Sequence, residues 1–260
     1  MISIVIPTLN EERYLPTLLR SLSVQELTEA LEIIVADNHS TDRTREVALA
    51  HSGLFPLGIR IVSGGRPAAG RNHGARASTG DPVFFLDADI ELRDRNLLTQ
   101  CTALFRRRHL AAASVRLEPA SELWRDHVMV GFYNALLWST HRIAPLGAMF
   151  IAASRYAFEA SGGFPEDVAI CEDHDFVGRC AAVGPYGVLP GRASFNVRRF
   201  RYEGRLKLCL KYIHATYLRV AFGPVKQFDY DFACFDPEIT QSRVHLPSTC
   251  SFESERAIDQ

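Results

Sequence analysis

The chain lacks the cysteine spacing of a zinc site or of a disulfide scaffold. Its six cysteines, Cys101, Cys171, Cys180, Cys209, Cys234 and Cys250, include no CxxC pair, so scattered reduced thiols are expected. It lacks a long apolar run. The longest uncharged stretches, residues 128–140 and 143–153, fall short of the ~18 residues that a membrane span needs. It lacks a basic excess: 29 Lys and Arg stand against 30 Asp and Glu, a formal net charge of −1. That balance argues against a dedicated nucleic-acid binder. It also lacks a basic, apolar leader, because MISIVIPTLNEE meets acidic residues before an apolar run can build. Low-complexity tracts and internal repeats are missing. What remains is an ordinary globular composition, 47% hydrophobic and 23% charged over 260 residues, enough for one domain with a sizeable core. A cytoplasmic location is expected, with the inner face of a membrane as a docking surface that the tail raises.

Short β-rich runs alternate with helical patterns. Residues 2–6 read as a buried strand ended by Pro7, and Asn10 is placed to cap the helix that follows. Leu15, Leu18, Leu19 and Leu22 recur at helical spacing, with Pro16 tolerable in the first turn. Further strands are expected at 31–36, 59–62 and 82–86, with helices at 41–50 and around 73–77. Beyond residue 95 the pattern predicts helices at 96–108 and 122–142 and strands at 111–117 and 148–152. Such alternation predicts an α/β fold, a mostly parallel central sheet with helices on both faces, plus a C-terminal helical appendage. Ligands of such sheets bind beyond the carboxyl ends of the strands, where the polar turns 8–11, 37–42 and 87–89 converge.

Three clusters in the sequence can carry chemistry. Asp87 and Asp89 close the apolar strand VFFLDAD two residues apart. On an extended chain they share a side, repel, and suit a hard cation such as Mg2+ or Mn2+ bridging to phosphate. The same spacing also suits two solvated turn aspartates. Glu172, Asp173 and Asp175 crowd into four residues, with Arg179 spaced to pair with Asp175. Glu172 or Asp173 is then free to act as a general base, or the cluster is simply an acidic first turn of a helix. Arg71 and Asn72 follow a Gly-containing loop at an expected helix start, a natural anion site or an ordinary surface turn.

Taken together, these strings resemble the family-2 inverting glycosyltransferases, which use the GT-A fold. IVIPTLNEERYLPTLLRSL is similar to that family's first strand and helix, EIIVADNHSTDRT to its nucleotide-binding turn, GRNHGA to its Arg-Asn helix start, FFLDAD to its metal motif and GGFPEDVAICEDHDFVGR to its acceptor-side acidic motif. The resemblance covers about residues 1–180. It implies that Pro7, Thr8 and Glu11 line the nucleoside pocket, that Asp37 contacts the base, and that Arg71 lies near the nucleotide. It also implies that Asp87 contacts the ribose or the metal's water shell, that Asp89 ligates Mg2+ or Mn2+, and that Asp173 is the base, with Glu172 as the second assignment. Gly147 and the Gly162-Gly163 turn would shape the sugar and acceptor side. His39 departs from the pattern by standing where glycine is commoner, and no QxxRW string of processive members is present.

The expected function is metal-dependent, inverting transfer of a sugar from a nucleotide-diphosphate donor, with UDP as the base by family analogy. The expected acceptor is a hydroxyl of a glycan, lipid or small molecule. A sugar-phosphate nucleotidyltransferase and a non-catalytic nucleotide-sugar-binding protein are the alternatives. Residues 1–205 read as the catalytic domain, with 1–95 its nucleotide half and 96–205 its acceptor half; residues 206–260 read as an amphipathic helix and tail. In that helix Leu206, Leu210, Ile213, Tyr217 and Val220 share a face beside Lys207, Lys211 and His214. Packing of this face on the domain and contact with an anionic membrane are both open. Residues 124–138, rich in aromatics, can join either surface. Residues 240–260 read as a mobile flap or a disordered end.

Overall fold

The computed structural model describes residues 1–226 and Phe228. The expected alternation is present in the first half: β1 (Ile2–Thr8), α1 (Leu15–Ser23), β2 (Leu31–Asp37), α2 (Thr44–Ala50), β3 (Ile59–Ser63), α3 (Pro67–Ala77) and β4 (Val83–Leu86). The second half continues with β5 (Ile90–Glu91), α4 (Leu97–Arg107), β6 (Ala112–Pro119), α5 (Trp124–Thr140), β7 (Phe150–Ala153) and α6 (Arg155–Ala160). It closes with α7 (Glu172–Val183), β8 (Tyr186–Phe195), α8 (Arg198–Tyr202) and α9 (Arg205–Phe222). The expected tail of residues 240–260 lies outside the described residues.

Among the described residues, eight strands form one sheet in the order β3-β2-β1-β4-β7-β6-β8-β5. β3, β2, β1 and β4 are parallel neighbours. β7 then runs antiparallel to both β4 and β6. The chain therefore leaves the centre in one direction through β2 and β3 and in the other through β4, and the crevice beyond the ends of β1 and β4 is where such sheets take ligands.

Period-two alternation divides the strands between two cores. Ile2, Ile4 and Ile6 of β1, Leu31, Ile33 and Val35 of β2, and Phe84 and Leu86 of β4 face one core, which includes Leu15, Leu18, Leu19 and Leu22 of α1. Val5, Ile34, Val83 and Phe85 face the other, against α3, α6 and α7. Burial on both faces explains why these strands read as continuous apolar runs. Ser3, the polar exception in β1, donates to Glu32 at 2.6 Å and accepts from the Gly80 N–H at 2.8 Å.

The sequence pattern does not reveal β8. Pro190 and Gly191 interrupt it, and its pairing with β6 slips between Val115 and Arg116 to bulge past them. Gly191 has φ of 78°, a left-handed conformation that glycine adopts without steric penalty. No described helix is long and apolar enough to cross a membrane.

The second core holds four phenylalanines. Phe164 and Phe176 stack with centroids 3.9 Å apart, and Phe85 meets both edge-on at 4.9 and 5.8 Å. Phe176 is fully buried. We expect Phe176→Ala to lower unfolding free energy by about 3–5 kcal/mol, measured by urea denaturation with an unchanged m-value. A loss below about 1 kcal/mol would show that the cluster closes over the hole.

Candidate functional site

The site begins at three strand ends. Pro7 and Thr8 close β1 and lead to Glu11, Asp37 closes β2, and β4 hands on to Asp87. Thr8 Oγ1 donates to Asp37 Oδ1 at 3.1 Å, and Ser40 donates to the same carboxylate through its N–H at 3.2 Å and its hydroxyl at 2.5 Å. Arg45 approaches at 3.5 Å. Asp37 thus braces its own turn. His39 has φ of 52°, which is why glycine is at ease at that place. Asn10 does not cap α1, contrary to expectation. It sits at φ of 55° and accepts from the Thr41 N–H at 2.8 Å, while Tyr14 holds the cap position. Its side chain ties the first strand end to the second.

Arg71 is the next layer. α3 starts at Pro67, so Arg71 lies mid-helix and not at the expected helix start. Its buried guanidinium donates from Nη2 to Asp87 at 2.7 Å and from Nη1 to Glu172 at 2.9 Å, and it lies 5.3 Å from the Phe164 ring centroid. Burial opposes the guanidinium charge, but Asp87, Glu172 and Asp173 outweigh it and raise the Arg71 pKa. Asn72 faces elsewhere. It accepts from the Phe164 N–H at 2.8 Å and donates to the Phe164 carbonyl and to Glu166, both at 2.8 Å, bracing the chain after the Gly162-Gly163 turn.

Glu172 and Asp173 open α7 beneath Arg71, and their charged neighbours separate them electrically. Burial, reinforced by repulsion from Asp173, raises the Glu172 pKa against the pull of Arg71. Burial would also raise that of Asp173, but His174 and Arg71 outweigh it and hold Asp173 far below the usual carboxylate range. His174 Nδ1 lies 3.0 Å from Asp173 Oδ1, and the His174 N–H donates to that oxygen at 2.8 Å. Gly147 passes so close that a Cβ there would stand 2.6 Å from the Asp173 backbone. Asp175 does not pair with Arg179. Arg219 of α9 takes it at 2.6 Å, and Arg179 donates to the Gly163 carbonyl at 2.5 Å.

Arg198 forms a second centre. Nη2 donates to Glu11 Oε1 at 2.6 Å, Nε lies 3.3 Å from Asp89 Oδ2, and the guanidinium stands 4.3 Å from the Tyr14 ring centroid. The expectation of an extended chain through Asp87 and Asp89 is corrected here, although the two carboxylates stay near enough to repel. β4 stops at Leu86 and residues 88–89 form a turn, so Asp87 pairs with Arg71 and Asp89 with Arg198. Among the described residues, no group of three or more His, Cys, Asp or Glu side chains converges to hold a metal ion. Burial raises the Asp89 pKa against Arg198, with Asp87 adding to it. Burial likewise outweighs Arg198 at Glu11 and pushes its carboxyl up to about 7. Glu11 Oε2 and Arg198 Nη1 are buried without a hydrogen-bond partner among the described residues.

Asp87, Glu172 and Asp173 thus gather at Arg71, and Glu11 and Asp89 at Arg198. Asp37 engages its own turn. The sequence pattern does not single out Tyr14 or His174, which carry no motif spacing. Arg198 shows only as one of several basic residues before the last helix. A surface cavity of about 590 Å³ beside Ile143, Pro145 and Tyr186 contains none of these carboxylates.

Comparison with known proteins points in one direction. A sequence-family model described as glycosyl transferase family 2 matches residues 3–159. The 4,4'-diaponeurosporenoate glycosyltransferase of Staphylococcus haemolyticus is 38% identical over 101 residues, 37% of this chain and 26% of that protein. The alignments cover 23% and 29% of two further curated relatives, so each spans less than a third of those proteins. Among solved structures, S. aureus TarS 1-349 in complex with UDP aligns with a TM-score of 0.64 at 20% identity, over 85% of this chain and 71% of that one. The mannosyltransferase PcManGT from Pyrobaculum calidifontis, in complex with GDP-Man and Mn2+, aligns with a TM-score of 0.62 at 24% identity, over 82% and 64%. Both likenesses establish the fold, a mixed α/β sheet flanked by helices as in GT-A proteins.

Glu11 generates a pH prediction. Its folded pKa, about 7, lies above the ordinary 4.5, so the folded chain binds this proton more tightly than the unfolded chain. The resulting stabilisation is complete below pH 4.5 and is lost as pH rises through about 7. In metal-free urea unfolding, Glu11→Gln is expected to flatten the fall in stability across this window. A slope identical to that of the parent protein would assign the proton to another group.

Proposed function

We propose, from the premise that this chain belongs to glycosyl transferase family 2, that it transfers a sugar from a nucleotide-diphosphate donor to an acceptor hydroxyl with inversion. The observation that carries this reading is the meeting of Asp87, Glu172 and Asp173 at one buried arginine, beside Asp89 and Glu11 at a second. Residues 1–95 form the donor half, 96–205 the acceptor half, and 206–260 the appendage. Pro7, Thr8, Glu11 and the Asp37 turn receive the nucleoside, with UDP as the leading base, and Gly147 borders the sugar and acceptor side. The solved relatives named above carry UDP in one case and GDP-Man with Mn2+ in the other.

The residues fit a divalent cation. Asp89 and Glu11 share one arginine, burial keeps both pKa values raised against it, and Glu11 Oε2 has no hydrogen-bond partner among the described residues. Mg2+ or Mn2+ is commonly held by one or two carboxylates together with substrate phosphates, and Asp89 with Asp87 would supply those carboxylates. A bound cation would offset the negative charge gathering on the departing diphosphate.

The chain's own residues perform the remaining tasks. Arg71 presents fixed positive charge to the nucleotide while holding Asp87 and Glu172 in place. Asp173 stays ionised at neutral pH and accepts the proton of the attacking hydroxyl. Its lowered pKa makes it a weak base. A weak base suffices when the proton leaves late, because the hydroxyl grows acidic as its oxygen bonds to the oxocarbenium-like carbon. The sugar gains the acceptor oxygen, the anomeric carbon–oxygen bond to diphosphate breaks, and free nucleoside diphosphate departs. A nucleotidyltransferase would release pyrophosphate instead.

Asp173→Asn is expected to retain the melting-temperature rise given by UDP or GDP with Mn2+, and to lower nucleoside-diphosphate release across a panel of glycan and lipid acceptors by about 10²-fold or more. Loss of that thermal shift would move Asp173 to the donor side. Asp89→Asn is expected to shrink the Mn2+-dependent part of the thermal shift, since a ligand bound to the native state stabilises it in proportion to affinity. A full shift in that variant would reject the metal assignment.

A further inference from the structure

α5 and α9 are joined at their first turns. Arg205, in the first turn of α9, donates to the buried Asp126, in the first turn of α5, at 2.5 and 3.2 Å. The inner face of α9 is anchored. Leu208 and Ala215 are buried, Ala215 packs with Ile170, Cys171 and Val225, and Arg219 donates to Asp175 and to the His174 carbonyl. The helix therefore docks on the domain through Leu208, Ala215 and Arg219, and not through the apolar face for which both domain packing and membrane contact were open. Leu206, Leu210 and Tyr217 remain 73%, 56% and 62% exposed.

The outer face of α5 matches it. Trp124 and Phe132 are each 70% exposed and Trp138 is 67% exposed. Across residues 124–143 and 205–222 the sole carboxylate is Asp126, which is buried and paired, whereas Arg125, Arg142 and Lys207 are exposed. Within these two segments the surface is apolar, aromatic and basic with no exposed acid, and Glu122 just before Trp124 is the exposed acid at its edge. That is the chemistry of the headgroup boundary of an anionic bilayer, where apolar side chains enter, aromatic rings lodge and cations meet phosphate. A second copy of the chain is a poorer occupant, since a twofold contact sets like patch against like and opposes the cations.

Both helices also grip the segment around Asp173. Tyr133 of α5 donates to the Gly147 carbonyl at 2.7 Å, and Gly147 abuts the Asp173 backbone. Arg219 of α9 holds the carbonyl of His174 at 3.1 Å. We propose that the joined outer face of α5 and α9 docks on an anionic lipid bilayer, and that the acceptor hydroxyl reaches Asp173 from that surface. The second half of this statement rests on the transferase reading; the docking does not.

The test is flotation of the full chain with phosphatidylcholine vesicles, with and without phosphatidylglycerol at roughly one part in four. The parent protein is expected to float with the anionic vesicles only, and less so at high salt. Phe132→Asp with Leu210→Asp is expected to weaken partition by about tenfold or more, with an unchanged melting temperature and an unchanged thermal shift by UDP or GDP with Mn2+. Arg125→Glu with Lys207→Glu, which leaves the apolar surface intact, is expected to remove the salt-sensitive part alone. Failure of the parent protein to float with either vesicle, or equal flotation of the Phe132/Leu210 variant, would overturn the proposal. A dimer in sedimentation equilibrium that this variant dissolves would assign the face to a second copy. Docking without any nucleotide-induced thermal shift would leave the bilayer surface standing and sink the transferase reading instead.

Discussion

One buried guanidinium holds the two halves of this chain in register. Arg71 reaches Asp87, 16 residues away, and Glu172, 101 residues away. It thereby joins the end of a parallel strand from the first half to the start of a helix from the second. A buried charge is costly to desolvate, and removing one partner of such a pair leaves the other uncompensated. The arrangement is tolerable because three carboxylates surround the arginine and an aromatic ring lies beneath it. The phenylalanine cluster below then sets the height of the guanidinium, so that core packing and site geometry become a single constraint.

The second arginine works differently. Arg198 arrives from beyond the last strand, 187 residues after Glu11, and neutralises only part of what it meets. Glu11 and Asp89 keep raised pKa values despite it, because burial dominates. Carboxylates left short of positive charge attract a further cation, or they protonate. Asp173 lies at the opposite extreme, held ionised by His174 and Arg71. Burial is common to all three, and the positive charge beside each decides its protonation.

Much of the first half was legible in the residues because it is local. Apolar runs on both sides of polar turns announced β1, β2, β3 and β4, and the turn after β2 carried its hydroxyls and carboxylates within a few residues of one another. Local signals failed where packing overrode them. Asn10 has the chemistry of a helix cap, yet it bonds across to Thr41 because the chain turns left-handed there. Asp175 and Arg179 have helical spacing, yet α9 brings Arg219 to Asp175 instead. Pro190 and Gly191 masked a strand of ten residues, since the β-bulge that accommodates them breaks the period-two pattern.

What the sequence determined by itself was the alternation of buried strands and helices and the order of the acidic turns along the chain. Both follow from periodicity and from neighbours a few residues apart. Only the tertiary structure decided which arginine faces which carboxylate, that Asp87 and Asp89 take different arginines, and which face of the last helix stays in solvent. Those outcomes depend on contacts between residues tens to hundreds of positions apart, and no local period encodes them.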